Sequence, residues 1–125
     1  MKILIAEDLP SSALLLRRLL ERQGHEVVVA RDGLEAWRAV ETTRFPVVIS
    51  DWVMPRLDGL ALCRRVRRQV GRSYTYIILL TSKLGVDERL EGLRAGADDF
   101  LVKPPDAEEL TVRLEIALRI LAVQD

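Results

Sequence analysis

The sequence predicts an α/β protein in which a parallel β-sheet is covered by helices on both faces. Short apolar runs alternate five times with longer segments of helical periodicity, and this alternation is typical of parallel sheets. The first four runs are rich in Val and Ile rather than alternating with polar residues, as expected for strands buried on both faces. The chain has 125 residues, which is the size of one compact domain. We therefore expect a single domain over residues 1–125.

Each predicted element has a recognisable pattern. The apolar runs that we assign to strands lie at residues 3–6, 27–30, 47–50, 77–80 and 100–102. The helical segments between and after them lie at residues 12–23, 34–43, 59–70, 86–95 and 107–123. Gly24, Gly71 and Gly96 follow three of the helices as C-terminal stops. Asp106, with Glu109 three residues later, resembles a capping box at the start of the fifth helix.

The last two helices have unusual apolar patterns. Gly92 weakens the fourth helix by about 1 kcal/mol, so we expect this helix to move, and its apolar stripe is Val86, Leu90 and Leu93. The fifth helix has one stripe for the core, made of Leu110, Leu114, Ala117 and Leu121. A second stripe on roughly the opposite side is made of Val112, Ile116 and Val123. This second stripe either consists of scattered exposed residues or contacts a second copy of the chain or an output domain.

Charge and cysteine content exclude several classes of function. Nineteen basic residues balance nineteen acidic ones, so no overall field attracts the chain to nucleic acid or an anionic membrane. We interpret the arginine-rich run at residues 64–72 as the solvated face of a helix. The single cysteine, Cys63, cannot form an internal disulfide, and no segment suits a signal peptide or a transmembrane helix. We expect a soluble cytoplasmic protein without direct membrane or nucleic-acid binding.

Polar side chains follow four of the predicted strands at the point where each strand ends. Glu7 and Asp8 follow the first strand, Asp51 the third, Thr81 the fourth and Lys103 the fifth. The C-terminal ends of parallel strands lie along one edge of the sheet, and ligands bind there where the chain winding reverses. We therefore expect these five side chains to converge on one site.

The carboxylates of this predicted site require a cation. Glu7, Asp8 and Asp51 would repel one another and raise one another's pKa unless a positive charge offsets them. Oxygen ligands without His or Cys partners suit Mg²⁺ rather than zinc or copper. Even with Lys103 the metal-free site is net negative, and one Mg²⁺ makes it neutral. Because a phosphate ester would be repelled without the metal, we predict that phosphorylation requires Mg²⁺.

Asp51 has the chemistry of a nucleophile toward phosphorus. A carboxylate can form an aspartyl phosphate, and Mg²⁺ and Lys103 would neutralise the phosphoryl oxygens. A nucleotide binder or an aspartate-nucleophile phosphatase is disfavoured, because no Gly-rich loop follows the first strand and no second Asp lies two residues after Asp51. We do not expect an enzyme that turns over a small substrate, but a protein that catalyses only its own aspartyl phosphorylation and dephosphorylation.

Several short motifs together carry a family resemblance. They are Glu7-Asp8, Asp51 with Met54-Pro55 and Asp58-Gly59, Leu80-Thr81-Ser82, the run from Ala95 through Gly96, Ala97, Asp98 and Asp99 to Phe100, and Lys103-Pro104. Over its whole length the chain resembles the receiver domains of two-component response regulators. The resemblance implies a flavodoxin-like doubly wound five-stranded sheet of order 2-1-3-4-5, flanked by five helices, with the site between strands one and three. It also implies phosphorelay signalling, with a sensor histidine kinase or phosphotransfer protein as phosphoryl donor.

The resemblance further implies a role for each metal-site residue. Asp51 is the phosphoacceptor and also a metal ligand, and Asp8 binds the metal directly. Glu7 binds it through a water or stands behind its direct ligands without touching it, and Val53 binds it through its backbone carbonyl.

The remaining roles concern the phosphoryl group and the switch. Lys103 pairs with the phosphoryl group, and Thr81 is the hydroxyl that moves to bond a phosphoryl oxygen. Phe100 is the ring that then turns inward, and the face made by the fourth helix, fifth strand and fifth helix carries the signal.

Two positions depart from the family pattern. Pro105 follows Pro104 where most relatives have an aromatic residue, and the Lys103–Pro104 bond is expected to be cis by resemblance. Val53 is apolar where some relatives carry a side chain that orients a hydrolytic water, so we hypothesise slow autodephosphorylation. The alternative function is a phosphorylation-independent interaction module on the same fold, against which the intact set of site residues argues.

Overall fold

Five strands and five helices alternate along the chain in the computed structural model, which describes residues 1–69, 71–82 and 84–124. The strands are β1 (Lys2–Ala6), β2 (Glu26–Ala30), β3 (Val47–Asp51), β4 (Tyr76–Thr81) and β5 (Asp99–Val102). The helices are α1 (Pro10–Arg22), α2 (Gly33–Thr42), α3 (Gly59–Arg68), α4 (Val86–Ala95) and α5 (Ala107–Gln124). All five predicted strands and helices are therefore confirmed, with small shifts of their ends.

The sheet is entirely parallel and has the strand order β2-β1-β3-β4-β5. This order confirms the doubly wound, flavodoxin-like expectation. The chain adds strands in one direction from β1 to β2 and in the other from β3 onward, so its winding reverses between β1 and β3. In parallel α/β sheets the ligand crevice lies at such a reversal, beside the C-terminal strand ends.

Two hydrophobic layers sandwich the sheet. Alternate residues of each strand point to opposite faces, and in β4 this places Ile77 and Leu79 in one layer and Ile78 and Leu80 in the other. The first layer packs under α2, α3 and α4, and the second packs under α1 and α5. Strands β3 and β4 are buried throughout, whereas the edge strand β2 is only partly buried, contrary to the expectation for the first four strands.

The helix ends follow the sequence signals in most cases. Gly24 and Gly96 have positive φ at the ends of α1 and α4, as expected of C-terminal stops. Gly71 also has positive φ, but α3 ends at Arg68 with Gln69 as its C-cap, so Gly71 is not the stop of this helix. The Asp106 carboxylate accepts a hydrogen bond from the Glu109 backbone N–H at 2.9 Å, which confirms the cap of α5. Helix α1 begins at Pro10 rather than at residue 12, since Pro suits the first turn of a helix. The predicted end of α3 at Val70 lies outside the described residues.

The apolar stripe assigned to α4 was wrong. Val86, Leu90 and Leu93 are exposed, and the residues that α4 buries are Gly92 and Ala95. Helix α4 contacts the sheet through small residues, which allow a close approach that a hydrophobic pattern does not reveal.

The two apolar stripes of α5 differ in burial. Leu110, Leu114 and Ala117 are buried, and Leu121 packs partly buried against the same layer, as predicted for the core stripe. On the second stripe, Val112 and Val123 are exposed and Ile116 is half-buried. The second stripe therefore faces away from the sheet.

Candidate functional site

The register of the central strands brings the predicted carboxylates together. Ala6 of β1 pairs with Ser50 of β3, so the residues that follow them, Glu7 and Asp51, lie side by side at the C-terminal edge. Asp51 is the last residue of β3 and pairs with Leu80 of β4. The backbone N–H of Glu7 donates to the Ala30 carbonyl oxygen at 3.0 Å, which extends the β1–β2 pairing to the site.

Three carboxylates form a cluster at this edge. Carboxylate oxygens of Glu7, Asp8 and Asp51 all lie within 4.8 Å of one another. Glu7 and Asp51 are buried, whereas Asp8 is exposed to solvent. An oxygen-only cluster with one solvent-facing member could hold a hard metal cation that keeps some of its waters.

Lys103 faces this cluster from the end of β5. Its Nζ lies 2.6 Å from Asp51 Oδ2 and 3.1 Å from Glu7 Oε2. The Lys103 backbone N–H donates to the Thr81 carbonyl oxygen at 2.8 Å, which anchors the residue to the end of β4. The Lys103–Pro104 peptide bond is cis, as the resemblance implied. Lys103 thus supplies a positive charge at the position that the sequence predicted.

The remaining contacts orient the two buried carboxylates. The Leu9 backbone N–H donates to Glu7 Oε1 at 3.1 Å, and the Trp52 backbone N–H donates to Asp51 Oδ1 at 3.0 Å. Each carboxylate therefore has one oxygen held by the backbone and the other by Lys103. Their orientation is set before any ligand arrives.

Burial and charge shift two pKa values in the cluster. Burial raises the pKa of Glu7 above its ordinary value of 4.5, and the charge of Asp51 adds to this, while hydrogen bonds from Leu9 and Lys103 oppose it. Burial would lower the pKa of Lys103, but hydrogen bonds and charges from Asp51 and Glu7 outweigh it and raise this pKa above 10.5. Lys103 is therefore an ammonium at neutral pH, and the buried negative charge of the cluster is only partly compensated.

An open cleft of about 430 Å³ lies in front of Asp51 and Lys103. Two other predicted site residues line it: Thr81, which is buried, and Val53, which is 76% exposed. Glu88 and Glu91 of α4 also line the cleft, although neither was predicted to be a site residue. Their spacing of three residues puts them on one helix face, but no signal in the sequence showed that this face borders Asp51.

Phe100 lies behind the cleft with its ring already inward. It is 8% exposed, and its ring stacks on Trp52 with centroids 6.4 Å apart and planes at 25°. Because Trp52 directly follows Asp51, this ring pair connects the site to β5 and to the underside of α4.

Several charged residues outside the carboxylate cluster hold turns and helix ends. The Asp98 carboxylate bonds to the Arg67 guanidinium, to the Tyr74 hydroxyl and to the Ile77 backbone N–H, so it shapes a turn. Arg67 also donates to the Gly96 and Thr75 carbonyl oxygens, so within the arginine-rich run this residue holds structure instead of facing solvent. Asp58 caps α3 by accepting from the Ala61 backbone N–H at 2.8 Å.

Comparisons with known proteins agree with this geometry. The family model described as "Response regulator receiver domain" matches residues 3–115. The transcriptional regulatory protein TcrA of Mycobacterium tuberculosis is 40% identical over 118 residues, which are 94% of this chain and 46% of TcrA. The chain thus spans about half the length of that relative.

Two solved structures are similar over nearly the full chain. The Vibrio cholerae chemotaxis protein CheY4 is 34% identical, with a TM-score of 0.87, and the match covers 93% of this chain and 97% of CheY4. The receiver domain of the sensor histidine kinase PA1611 of Pseudomonas aeruginosa, solved with a magnesium ion coordinated in its active site cleft, is 33% identical with a TM-score of 0.83, and the match covers 97% of each chain.

The helices add one further observation. None of those in the described part of the chain combines the length and the apolar character that crossing a bilayer requires.

The geometry and the comparisons point to the same family. The sheet is parallel, an acidic cluster at its edge faces a lysine, and the family model matches residues 3–115. The chain belongs to the response regulator receiver domain family, homologous to two-component response regulators.

Proposed function

We propose that this chain, as one domain over residues 1–125, accepts a phosphoryl group on Asp51 from a phosphohistidine and thereby switches a signalling surface. The observation that carries the proposal is the placement of Asp51: its Oδ2 lies 2.6 Å from Lys103 Nζ, inside a carboxylate cluster with Glu7 and Asp8. A nucleophilic carboxylate beside a cation and a metal-competent acidic pair is the arrangement that phosphoryl transfer needs.

Mg²⁺ is the cation that we propose for the cluster. The donor set fits it, because all three side chains offer oxygen and Asp8 is open to solvent. The magnesium ion in the PA1611 receiver domain supports the assignment. Asp8 and Asp51 would bind it directly, and Val53 would bind it through its carbonyl oxygen. Glu7 would bind it through a water or stand behind its direct ligands without touching it. When bound, Mg²⁺ neutralises negative charge on the carboxylates and on the phosphoryl oxygens.

The chain's own residues would carry out the transfer as follows. A carboxylate oxygen of Asp51 attacks phosphorus, the P–N bond of the phosphohistidine breaks, and the imidazole nitrogen keeps the electron pair. The Trp52 N–H, which donates to Asp51 Oδ1, keeps the carboxylate in one orientation. Lys103 moves its ion pair from Asp51 to a phosphoryl oxygen. The chain catalyses only this transfer and the later hydrolysis, with no small substrate turned over.

Thr81 and Phe100 are the proposed switch residues. A hydrogen bond from Thr81 to a charged phosphoryl oxygen contributes about 1.5–3 kcal/mol, whereas reversing a 1:99 equilibrium needs about 5.5 kcal/mol. Thr81 therefore needs the help of Lys103, of a partner or of a change in the packing of Phe100. The exposed apolar residues of α4, β5 and α5, namely Val86, Leu90, Leu93, Val102 and Val112, support this face as the output surface.

The proposed partners follow from the family. A sensor histidine kinase or phosphotransfer protein donates the phosphoryl group, and α5 leads to a second copy of the chain or to an output domain. TcrA is a transcriptional regulatory protein of about twice the matched length, which supports an output domain.

Cys63 is buried and free, which suits a reducing compartment, and we place the protein in the cytoplasm. The alternative, a phosphorylation-independent interaction module, is not favoured by the family match.

The test is phosphorylation by a small donor. The protein is incubated with acetyl phosphate and Mg²⁺, and the modified residue is located by mass spectrometry of peptides after borohydride trapping. We expect one phosphoryl group on Asp51 and none in Asp51→Asn. Labelling that persists undiminished in Asp51→Asn, or no labelling of the wild type, would contradict the proposal.

A further inference from the structure

The loop between β3 and α3 carries part of the proposed metal site. It runs from Trp52 to Asp58 and contains Val53, which is 76% exposed at the cleft. The Trp52 N–H donates to the Leu80 carbonyl oxygen at 2.9 Å, which ties the first residue of the loop to β4. The Gly59 N–H donates to the Trp52 carbonyl oxygen at 2.8 Å, which joins the two ends of the loop. In the middle of the loop the Leu57 N–H donates to the Pro55 carbonyl oxygen at 2.8 Å, which closes a γ-turn centred on Arg56.

Arg56 stands in the middle of this loop in a strained conformation. Its φ is 68°, and among residues 1–69, 71–82 and 84–124 it is the one residue other than glycine with a positive φ. The left-handed conformation costs a residue with a Cβ about 1–2 kcal/mol. A strained arginine persists when its surroundings hold it in place.

The surroundings of Arg56 are the first turn of α2. Its Nε and Nη2 both donate to Asp32 Oδ2, at 2.9 and 2.7 Å. The other oxygen, Asp32 Oδ1, accepts from the Glu35 backbone N–H at 2.8 Å and so caps α2. A single carboxylate, 11% exposed, therefore joins the start of a helix to the loop that carries Val53.

A second contact lies directly beside this ion pair. A Cβ built on Gly33, the first residue of α2, would lie 1.8 Å from the Leu57 carbonyl oxygen. The loop therefore contacts the start of α2 at two adjacent positions. A residue larger than glycine at position 33 would clash with the Leu57 backbone.

We infer that Arg56 and Asp32 form a clasp that positions the β3–α3 loop, and through it the Val53 carbonyl, for metal binding. The inference rests on the proposed function. Neither residue lines the cleft in front of Asp51, so the clasp acts through the loop and not by contact with the metal. The ion pair is partly exposed on the arginine side, 53%, so its contribution to global stability is small compared with its effect on loop geometry.

The clasp is tested with variants that preserve the local backbone. Arg56→Gly keeps the left-handed conformation without strain and removes the guanidinium. Asp32→Asn keeps a good helix cap and weakens the ion pair. Arg113→Ala is the matched control, since it removes a partly exposed arginine that pairs with Asp99 at the opposite edge of the sheet.

Mg²⁺ binding is measured by titration of Trp52 fluorescence in a Trp37→Phe background, with the Mg²⁺-dependent rise in melting temperature as a second readout. We expect Arg56→Gly and Asp32→Asn each to raise the Mg²⁺ dissociation constant about tenfold, the size of effect seen when a residue that supports a metal ligand is removed. The double variant should lose no more Mg²⁺ affinity than either single variant. Arg113→Ala should bind Mg²⁺ with the affinity of the wild type.

The two variants change the charge in opposite directions, so a loss common to both excludes a simple electrostatic effect. If both variants bind Mg²⁺ as tightly as the wild type does, the inferred role of the Arg56–Asp32 pair is wrong and the proposed function stands. If the wild type neither binds Mg²⁺ nor is labelled on Asp51, the proposed function fails and the clasp fails with it.

Discussion

Gly92 and Phe100 provide a test of how α4 is seated on the sheet. Replacing a helical glycine by alanine normally stabilises a helix by about 1 kcal/mol. In this chain a Cβ on Gly92 would lie 2.5 Å from Phe100 Cε1 and 2.8 Å from Cζ. These distances are well below the separation of about 3.5–4.0 Å at which carbon atoms pack. The change in the free energy of unfolding caused by Gly92→Ala should therefore differ in sign between proteins with and without the Phe100 ring.

The expected energies follow from these contacts. Overpacking of this kind costs about 1–3 kcal/mol, so Gly92→Ala should destabilise the wild type by roughly 0–2 kcal/mol after the gain in helix propensity. In a Phe100→Ala background the clash is absent, and Gly92→Ala should stabilise by about 1 kcal/mol. The coupling energy of the cycle is then about 1–3 kcal/mol.

Urea denaturation followed by far-ultraviolet circular dichroism measures all four proteins. Phe100→Ala itself costs about 3–5 kcal/mol, and the stability of a domain is typically about 5–15 kcal/mol, so the background remains measurable in most of that range. Turning of the Phe100 ring outward in Gly92→Ala would break its stacking on Trp52 and change the Trp52 fluorescence. Equal stabilisation by Gly92→Ala in both backgrounds would refute the proposed seating of α4.

Three further predictions concern hydrolysis, assembly and pH. Val53 is apolar and exposed at the cleft, so it orients no hydrolytic water, and Val53→Asn should shorten the half-life of phosphorylated Asp51; an unchanged or longer half-life would count against this. Val112→Glu should weaken self-association in sedimentation experiments with a beryllofluoride mimic of phosphorylation, with Glu115→Gln as control; monomers in every sample would remove the dimer hypothesis. Hydrogen bonds from the Glu35 N–H and then from Arg56 hold the pKa of Asp32 below its ordinary value of 3.8, so its contribution to stability is complete above that value and is lost as pH falls through the lower folded pKa. The stability difference between wild type and Asp32→Asn should accordingly disappear in acid, and a difference that persists would contradict the assignment.

The site was predictable because it depends on topology. Glu7, Asp51, Thr81 and Lys103 each follow the end of a strand or close it, and parallel strands bring those ends to one edge whatever the sequence distance between them. Apolar runs identified the strands, because a strand buried on two faces consists mostly of apolar residues. The strand order was available only through the family resemblance.

The missed features depend on long-range pairs and on small residues. The Arg56–Asp32 pair joins residues 24 positions apart, and a single sequence contains no signal that pairs them. Helix α4 was misread because its contact with the sheet is made by Gly92 and Ala95, while its large apolar residues face outward. A hydrophobic pattern identifies the large residues of a helix, but not the face on which a glycine admits an aromatic ring.

The Mg²⁺ dependence of Asp51 labelling tests the central claim most directly. The rate of labelling by acetyl phosphate is measured across a Mg²⁺ titration in the wild type and in Asp8→Asn, each starting from protein treated with EDTA. We predict no labelling without the metal, a rate that saturates with Mg²⁺ in the wild type, and a much higher Mg²⁺ requirement in Asp8→Asn. Labelling of Asp51 at the same rate in EDTA as in Mg²⁺ would contradict a shared divalent cation as the basis of the chemistry.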